Sequence, residues 1–132
     1  MEFEASLDSL PHMMEYIRQQ AQLYGIQSSI INRIELSCEE AIVNIISYAY
    51  QKDPGQIEIT CKKQGMRFEI RLCDLGPPFN PIDADIDPQF NIPIGERKIG
   101  GMGIFLIRKI IDEVSYRREG EVNILCLAFN LL

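Results

Sequence analysis

Two pairs of alternating runs constrain the fold of this chain more than any other feature. Residues 57–61 and 68–72 alternate apolar and polar side chains across a short segment that contains a glycine. Residues 113–117 and 122–129 form a second pair of the same kind. Strands joined by tight turns pair in antiparallel fashion. The pattern therefore predicts two β-hairpins.

Residues 10–24, 28–50 and 104–111 carry apolar side chains at helical spacing, and residues 2–6 alternate like a short strand. The predicted order is β, α, α, β, β, long loop, α, β, β. Because helices interleave with hairpins and not with single strands, we expect an α+β two-layer sandwich. Its sheet would be mixed but mainly antiparallel, with the helices on one face. At 132 residues, the chain is expected to form a single domain, 1–132.

The formal net charge of −6 argues against direct nucleic-acid binding, which needs a basic face. It is compatible with a local phosphate site built from backbone N–H groups. The four cysteines are widely spaced and do not form a metal motif with His12, so buried free thiols in a reducing cytoplasm are expected. No apolar stretch approaches the roughly 20 residues that span a bilayer, and the acidic N-terminal segment is unlike a signal peptide.

Glu40 and Asn44 are four residues apart, which places them on one face of the second helix. An Asn side chain supplies a neutral oxygen ligand for Mg²⁺, and a Glu can accept a proton from a hydroxyl. The alternative is that both residues face solvent together with Glu39.

Asp74-Leu75-Gly76 directly follows a predicted strand. An Asp at this place can accept a hydrogen bond from an amino group such as adenine N6, and a following Gly lets a ligand approach the backbone. The alternative is a turn-forming Asp before a tight bend.

The segment from Arg97 to Gly103 places glycines immediately before a predicted helix. Exposed N–H groups and the helix dipole favour an anion there, and Arg97 or Lys98 could add a positive charge at a terminal phosphate. The alternative is a flexible turn. Residues 77–98, which contain five prolines, form a connection long enough to be functional or disordered.

The order of these motifs resembles the N, G1 and G2 boxes of the GHKL ATPase family. Residues 74–81, Asp-Leu-Gly-Pro-Pro-Phe-Asn-Pro, and residues 101–114, which begin Gly-Met-Gly, are most similar to the bacterial anti-sigma-factor serine kinases of the RsbW and SpoIIAB type. The similarity covers nearly the whole chain. No phosphoacceptor helix precedes the domain and His12 lies outside a phosphoacceptor context, so a two-component histidine kinase is not expected.

The resemblance implies a role for each motif residue. Asn44 would ligate the Mg²⁺ that bridges the ATP phosphates, and Glu40 would be the general base for a substrate serine. Asp74 would bind adenine N6, and Gly76 would line the adenine pocket.

The resemblance also implies how the phosphates are held. Residues 82–98 would form the ATP lid, and either Arg97 or Lys98 would reach the terminal phosphate. Four residues would wrap the phosphates through backbone N–H groups: Gly100, Gly101, Met102 and Gly103.

The function that the resemblance implies is that of an ATP-dependent protein-serine/threonine kinase that binds a sigma factor. Its substrate would be a Ser or Thr of an anti-anti-sigma (STAS-type) protein, so that partner switching regulates transcription. Alternatives are a weakly catalytic or non-catalytic ATP-binding module that sequesters a regulator, and a scaffold without nucleotide. Such proteins commonly form homodimers, and four N-terminal side chains could contribute to the interface or simply to the core: Phe3, Leu7, Met13 and Met14.

Three departures from the family pattern are visible, of which one is an acidic lid that contains Asp83, Asp85 and Asp87. The related kinases often carry His-Gly-Tyr after the Asn, where this chain has Tyr48-Ala49-Tyr50. A Thr of the last strand that supports the adenine-binding Asp is replaced here by Cys126 or a neighbour. Because a thiol is a weaker hydrogen-bonding group, Cys126 in this role would lower adenine affinity.

Overall fold

The structure is a computed structural model that describes residues 1–50, 55–81 and 110–131. A 3-10 turn at Leu7–Ser9 precedes the first helix. The described helices and strands are β1 (Glu2–Glu4), α1 (Leu10–Leu23), α2 (Ser28–Ala49), β2 (Gln56–Gln64), β3 (Arg67–Asp74), β4 (Glu113–Glu119) and β5 (Val122–Asn130). The elements predicted from sequence within these ranges are confirmed in kind and order. The predicted helix 104–111 lies outside the described residues except for its last two positions.

The five strands form one sheet in the order β1-β2-β3-β5-β4. Each described strand pair is antiparallel, and both predicted hairpins, β2–β3 and β4–β5, are present. The hairpins meet where β3 pairs with β5, with Phe68 opposite Phe129 and Asp74 opposite Asn123. The expected α+β architecture, a mainly antiparallel sheet with a helix layer, is confirmed.

The core lies between the helices and one face of the sheet. Alternation along β3 turns Phe68, Ile70 and Leu72 inward and leaves Glu69 and Arg71 on the outer face, as the period of two along a strand requires. The inward side chains are fully or almost fully buried. Helix α2 is buried along most of its length, which explains its dense apolar sequence; its buried apolar residues are Ile30, Ile31, Ile34, Cys38, Ala41, Ile42, Val43, Ile45 and Ile46.

The N-terminal apolar side chains serve mainly the core. Met13 is fully buried, and Phe3 and Met14 are partly buried against the core cluster. Only Leu7 of this group is largely exposed, at 49%. Neither described helix combines the length and apolarity that a membrane span requires.

The four cysteines are free thiols, but they are not all buried. Cys38 and Cys61 lie in the core, whereas Cys73 and Cys126 are partly exposed. The expectation of four buried thiols is wrong for this second pair, because both side chains alternate onto the outer face of the sheet, which the helices do not cover.

The β2–β3 turn depends on Gly65, whose φ is +61°. A side chain in this left-handed region costs roughly 1–2 kcal/mol, so Gly65→Ala is expected to lower the free energy of unfolding by about 1 kcal/mol. Urea unfolding followed by circular dichroism measures the loss. The neighbouring exposed variant Gln64→Ala should change the free energy of unfolding by less than about 0.5 kcal/mol. Equal losses in the two variants would contradict a conformational cause.

Candidate functional site

Helix α2 carries the predicted Glu40/Asn44 pair, and Tyr50, the residue that follows this helix, contacts the last residue of β3. Asn44 is fully buried and Glu40 is partly buried, whereas Glu39 is exposed. The alternative in which the pair faces solvent is therefore wrong for Asn44. The Asn44 Nδ2 donates to the Glu40 carbonyl oxygen at 2.7 Å, which fixes the orientation of the amide against its own helix.

The Glu40 carboxyl group sits in an environment that favours its protonated form. Burial raises its pKa above the ordinary value, and the negative charge of neighbouring Glu39 raises it further. Desolvation disfavours a charged carboxylate, and a nearby like charge acts in the same direction. A carboxylate with a raised pKa is a stronger base than an ordinary Glu, which suits proton transfer near neutral pH.

Asp74 is the last residue of β3 and is only 6% exposed. Its Oδ1 accepts three hydrogen bonds: from the Tyr50 hydroxyl at 2.8 Å, from the Gly76 backbone N–H at 2.8 Å and from Asn123 Nδ2 at 3.1 Å. Within residues 1–50, 55–81 and 110–131, no donor reaches Oδ2. The two carboxylate oxygens are therefore unlike: one is fully used by the protein and the other can accept from a ligand.

Asn123 holds this arrangement from β5 and is 4% exposed. Its Oδ1 accepts from the Tyr116 hydroxyl at 2.5 Å and from Arg118 Nη1 at 3.0 Å. Because two donors occupy the amide oxygen, the amide NH₂ must face the other way. It donates to Asp74 Oδ1 and to the carbonyl oxygens of Gly76 and Pro77, at 3.1, 3.2 and 3.0 Å.

This geometry corrects the expectation that Cys126 or a neighbour stands behind the adenine-binding Asp. The residue opposite Asp74 is Asn123, whereas Cys126 lies opposite Arg71 on the outer face of the sheet. A primary amide is a stronger donor than a thiol, and here it reaches the carboxylate directly. The predicted weakening of adenine binding by a thiol therefore loses its basis.

The turn after Asp74 is fixed by the same group of side chains. Arg118 Nη1 donates to the Gly76 carbonyl oxygen at 3.0 Å. A Cβ at Gly76 would lie 2.8 Å from the Tyr50 hydroxyl oxygen and 3.0 Å from Asp74 Oδ1, which is too close for a larger residue without movement. Glycine at this position is thus required by the protein's own hydrogen bonds.

Four residues of this cluster were not identified from the sequence as site residues: Tyr50, Tyr116, Arg118 and Asn123. Tyr50 follows α2, and Asn123 and Arg118 face each other across the β4–β5 hairpin. The hairpin pattern could have paired Asn123 with Arg118. It could not have placed either beside Asp74, since β3 and β5 are not consecutive in the chain.

The predicted phosphate-binding segment lies outside the described residues. This applies to the lid, 82–98, with Arg97 and Lys98, and to the glycine loop, 100–103. Their roles remain predictions from the sequence.

Comparison with known families and relatives identifies the family of the chain. The histidine kinase-like ATPase domain family matches residues 3–129. The serine-protein kinase RsbW of Bacillus cereus (strain B4264) is 27% identical over 108 residues, covering 80% of this chain and 68% of the relative. The serine-protein kinase RsbW of Bacillus mycoides (strain KBAB4) matches with the same identity and coverage.

Solved structures show the same fold. A nucleotide-free form of the catalytic domain of histidine kinase ThkA aligns with a TM-score of 0.52 at 15% identity, covering 99% of this chain and 96% of that one. The Acinetobacter baumannii histidine kinase AdeS aligns with a TM-score of 0.51 at 18% identity. That match covers 76% of this chain and 47%, about half, of AdeS. The resemblance to the GHKL ATPases is thereby confirmed: the chain belongs to the histidine kinase-like ATPase domain family and is similar to the serine-protein kinase RsbW.

Proposed function

We propose that this chain binds Mg-ATP and transfers the γ-phosphoryl group to a serine or threonine of a partner protein. The observation that carries the proposal is the difference in hydrogen bonding between the two carboxylate oxygens of Asp74. Oδ1 is saturated by three protein donors, and Oδ2 remains able to accept from a ligand. The Tyr50 hydroxyl joins the end of the helix that carries Glu40 and Asn44 to this carboxylate, which supports a single site for base recognition and phosphoryl chemistry.

Adenine fits the Asp74 site by hydrogen-bond chemistry. Its exocyclic N6 amino group is a donor, whereas guanine presents an O6 acceptor at the equivalent position. A carboxylate oxygen that only accepts would favour the first base and repel the second. The absence of a side chain at Gly76 lets a planar base approach the backbone.

Asn44 and Glu40 fit the second half of the site. Mg²⁺ in nucleotide sites keeps waters and phosphate oxygens and needs only one or two protein ligands, and Asn44 would be one of them. When bound, the metal neutralises the charge that develops on the phosphates. Glu40, with its raised pKa, would take the proton from the attacking hydroxyl. The lid and the glycine loop would enclose the phosphates, with Arg97 or Lys98 at the terminal one.

The similarity to RsbW supports a protein partner in place of a small-molecule acceptor. The proposed phosphoacceptor is an anti-anti-sigma (STAS-type) protein, and the proposed regulatory target is a sigma factor bound in exchange for it. A protein with this role would act in the cytoplasm, and Leu7, exposed at 49%, is available to a homodimer interface.

The test is a phosphoryl-transfer assay with Mg-[γ-³²P]ATP and a purified candidate anti-anti-sigma protein. We expect label on the partner in an acid-stable form that phosphoamino-acid analysis identifies as phosphoserine or phosphothreonine. Replacing the partner's labelled residue by Ala should remove the label. Saturable ATP binding without transfer would instead support the non-catalytic module, and no ATP binding in equilibrium dialysis would refute the whole proposal.

A further inference from the structure

We propose that Tyr50 is a positioning residue for nucleobase recognition: its hydroxyl fixes the Asp74 carboxylate so that Oδ2, and not Oδ1, faces the base. This inference rests on the proposed adenine site and adds a residue to it. It concerns a side chain that touches Asp74 and acts on the nucleotide through that carboxylate.

Tyr50 links two parts of the site that are far apart in the chain. It immediately follows α2, and its backbone N–H donates to the Ile46 carbonyl oxygen, which extends the hydrogen bonding of the helix by one residue. Its hydroxyl donates to Asp74 Oδ1 at 2.8 Å. The helix that bears Glu40 and Asn44 is thereby tied directly to the carboxylate at the end of β3.

The Tyr50 ring is enclosed by two glycines. A Cβ at Gly55 would lie 2.3 Å from the ring Cε1, and a Cβ at Gly76 would lie 3.0 Å from the ring Cζ. Contacts this short mean that each glycine leaves only the room that the ring occupies. The hydroxyl therefore reaches Asp74 from a ring whose position is constrained on two sides.

The hydroxyl is held in its donor form. Burial raises the pKa of the Tyr50 phenol well above its usual range, and the hydrogen bond to Asp74 raises it further. The phenol is thus protonated across the physiological pH range. It can donate its only proton to Oδ1 in the presence or absence of a ligand.

Loss of this donor would weaken the distinction between the two carboxylate oxygens. Without the Tyr50 hydroxyl, Oδ1 keeps two donors, the Gly76 N–H and the Asn123 amide. Hydrogen bonds to a charged group are stronger than neutral ones, so the third donor contributes substantially to fixing the carboxylate plane. A half-turn only exchanges two equivalent oxygens, but a carboxylate whose plane is less well fixed points an oxygen at the base for a smaller fraction of the time.

The test compares ATP with purine riboside 5′-triphosphate, which lacks the N6 amino group, in the wild type and in Tyr50→Phe. The wild type should bind ATP more tightly than the analogue. In Tyr50→Phe, ATP affinity should fall about tenfold, whereas affinity for the analogue should change less than about twofold. Isothermal titration calorimetry with Mg²⁺ present measures all four affinities.

Two further variants distinguish the positioning role of Tyr50 from a non-specific loss of nucleotide binding. Tyr24→Phe removes a hydroxyl near Phe68, at the opposite end of β3, and should leave the ratio of the two affinities unchanged. Gly55→Ala keeps the Tyr50 hydroxyl but displaces its ring, and should lower the ratio as Tyr50→Phe does.

The outcomes distinguish this inference from the proposed function. A wild type that does not bind ATP, or binds both nucleotides equally, would remove the adenine site itself. The inference about Tyr50 alone would be overturned if the wild type prefers ATP and Tyr50→Phe shows the same preference. This includes the case in which Tyr50→Phe loses affinity for both nucleotides in the same proportion.

Discussion

Replacing Asn123 by Asp should reduce the free energy of unfolding by about 3 kcal/mol at pH 7.5 and weaken ATP binding more than tenfold. The substitution keeps the acceptor for Tyr116 and Arg118 but removes the donor to Asp74 Oδ1, 3.1 Å away. The substitution also places a second carboxyl group next to the Asp74 carboxylate in a nearly buried site. Losing a hydrogen bond to a charged group, with a buried like charge added, has a cost of this size.

The loss of stability in Asn123→Asp should depend on pH in a defined direction. In Asn123→Asp, two adjacent carboxylates should raise the pKa of the pair above the ordinary Asp value of about 3.9. The Arg118 guanidinium, 3.0 Å from the Asn123 amide oxygen, opposes only part of this rise, because it contacts one of the two carboxyl groups. A raised folded-state pKa stabilises the folded protein below the unfolded pKa, and this contribution is lost as the pH rises through the folded pKa. The deficit of Asn123→Asp relative to wild type should therefore be smaller at pH 5 than at pH 7.5, because one shared proton restores a donor.

Urea unfolding at the two pH values measures this deficit, with Asn130→Asp as the matched control. Asn130 ends the same strand and is exposed, so its replacement should change the free energy of unfolding by less than about 0.5 kcal/mol. An Asn123→Asp variant as stable as the control at pH 7.5 would show that the Asn123 amide does not support Asp74.

Glu40→Gln should lower the rate of phosphoryl transfer by about 10²–10⁴, the usual contribution of a positioned general base, while ATP still binds. The amide keeps the size of the side chain and cannot take a proton from the substrate hydroxyl. Single-turnover transfer to the partner protein measures the rate, and calorimetry measures ATP binding. Glu39→Gln is the control, since Glu39 is exposed on the adjacent position of α2.

The pH–rate profile of the wild type provides a second readout of the same role. Because burial and Glu39 raise the Glu40 pKa, the acidic limb of the profile should lie above the ordinary Glu value of about 4.3. This limb should disappear in Glu40→Gln and shift to lower pH in Glu39→Gln, which removes the neighbouring negative charge. Transfer at the wild-type rate by Glu40→Gln would refute the assignment of Glu40 as the base.

The sequence predicted the fold through local patterns. Alternation in residues 57–61 and 68–72 and the glycine between them were sufficient for the β2–β3 hairpin, and the apolar spacing in residues 28–50 was sufficient for α2. Such patterns extend over a few residues, and the spacing of the apolar side chains is enough to distinguish a helix from a strand. Glu40 and Asn44 were placed on one helix face for the same reason.

The support of Asp74 could not be predicted this way. Asn123 reaches it only because β5 crosses to pair with β3 in a particular register, and a slip of one residue would turn Asn123 to the opposite face. The same register places Cys126 on the outer face, which is why the expectation for it failed. Tyr50 is the last residue of the helical pattern, and nothing local indicates that its hydroxyl meets a carboxylate 24 residues later.

A crystal structure of the chain with Mg²⁺ and a non-hydrolysable ATP analogue tests the central claim most directly. The account predicts that adenine N6 lies about 2.7–3.2 Å from Asp74 Oδ2, with Tyr50, Gly76 and Asn123 still on Oδ1. It also predicts that the phosphates lie toward Asn44. A nucleotide bound elsewhere on the domain, or an adenine with no hydrogen bond to Asp74, would contradict it.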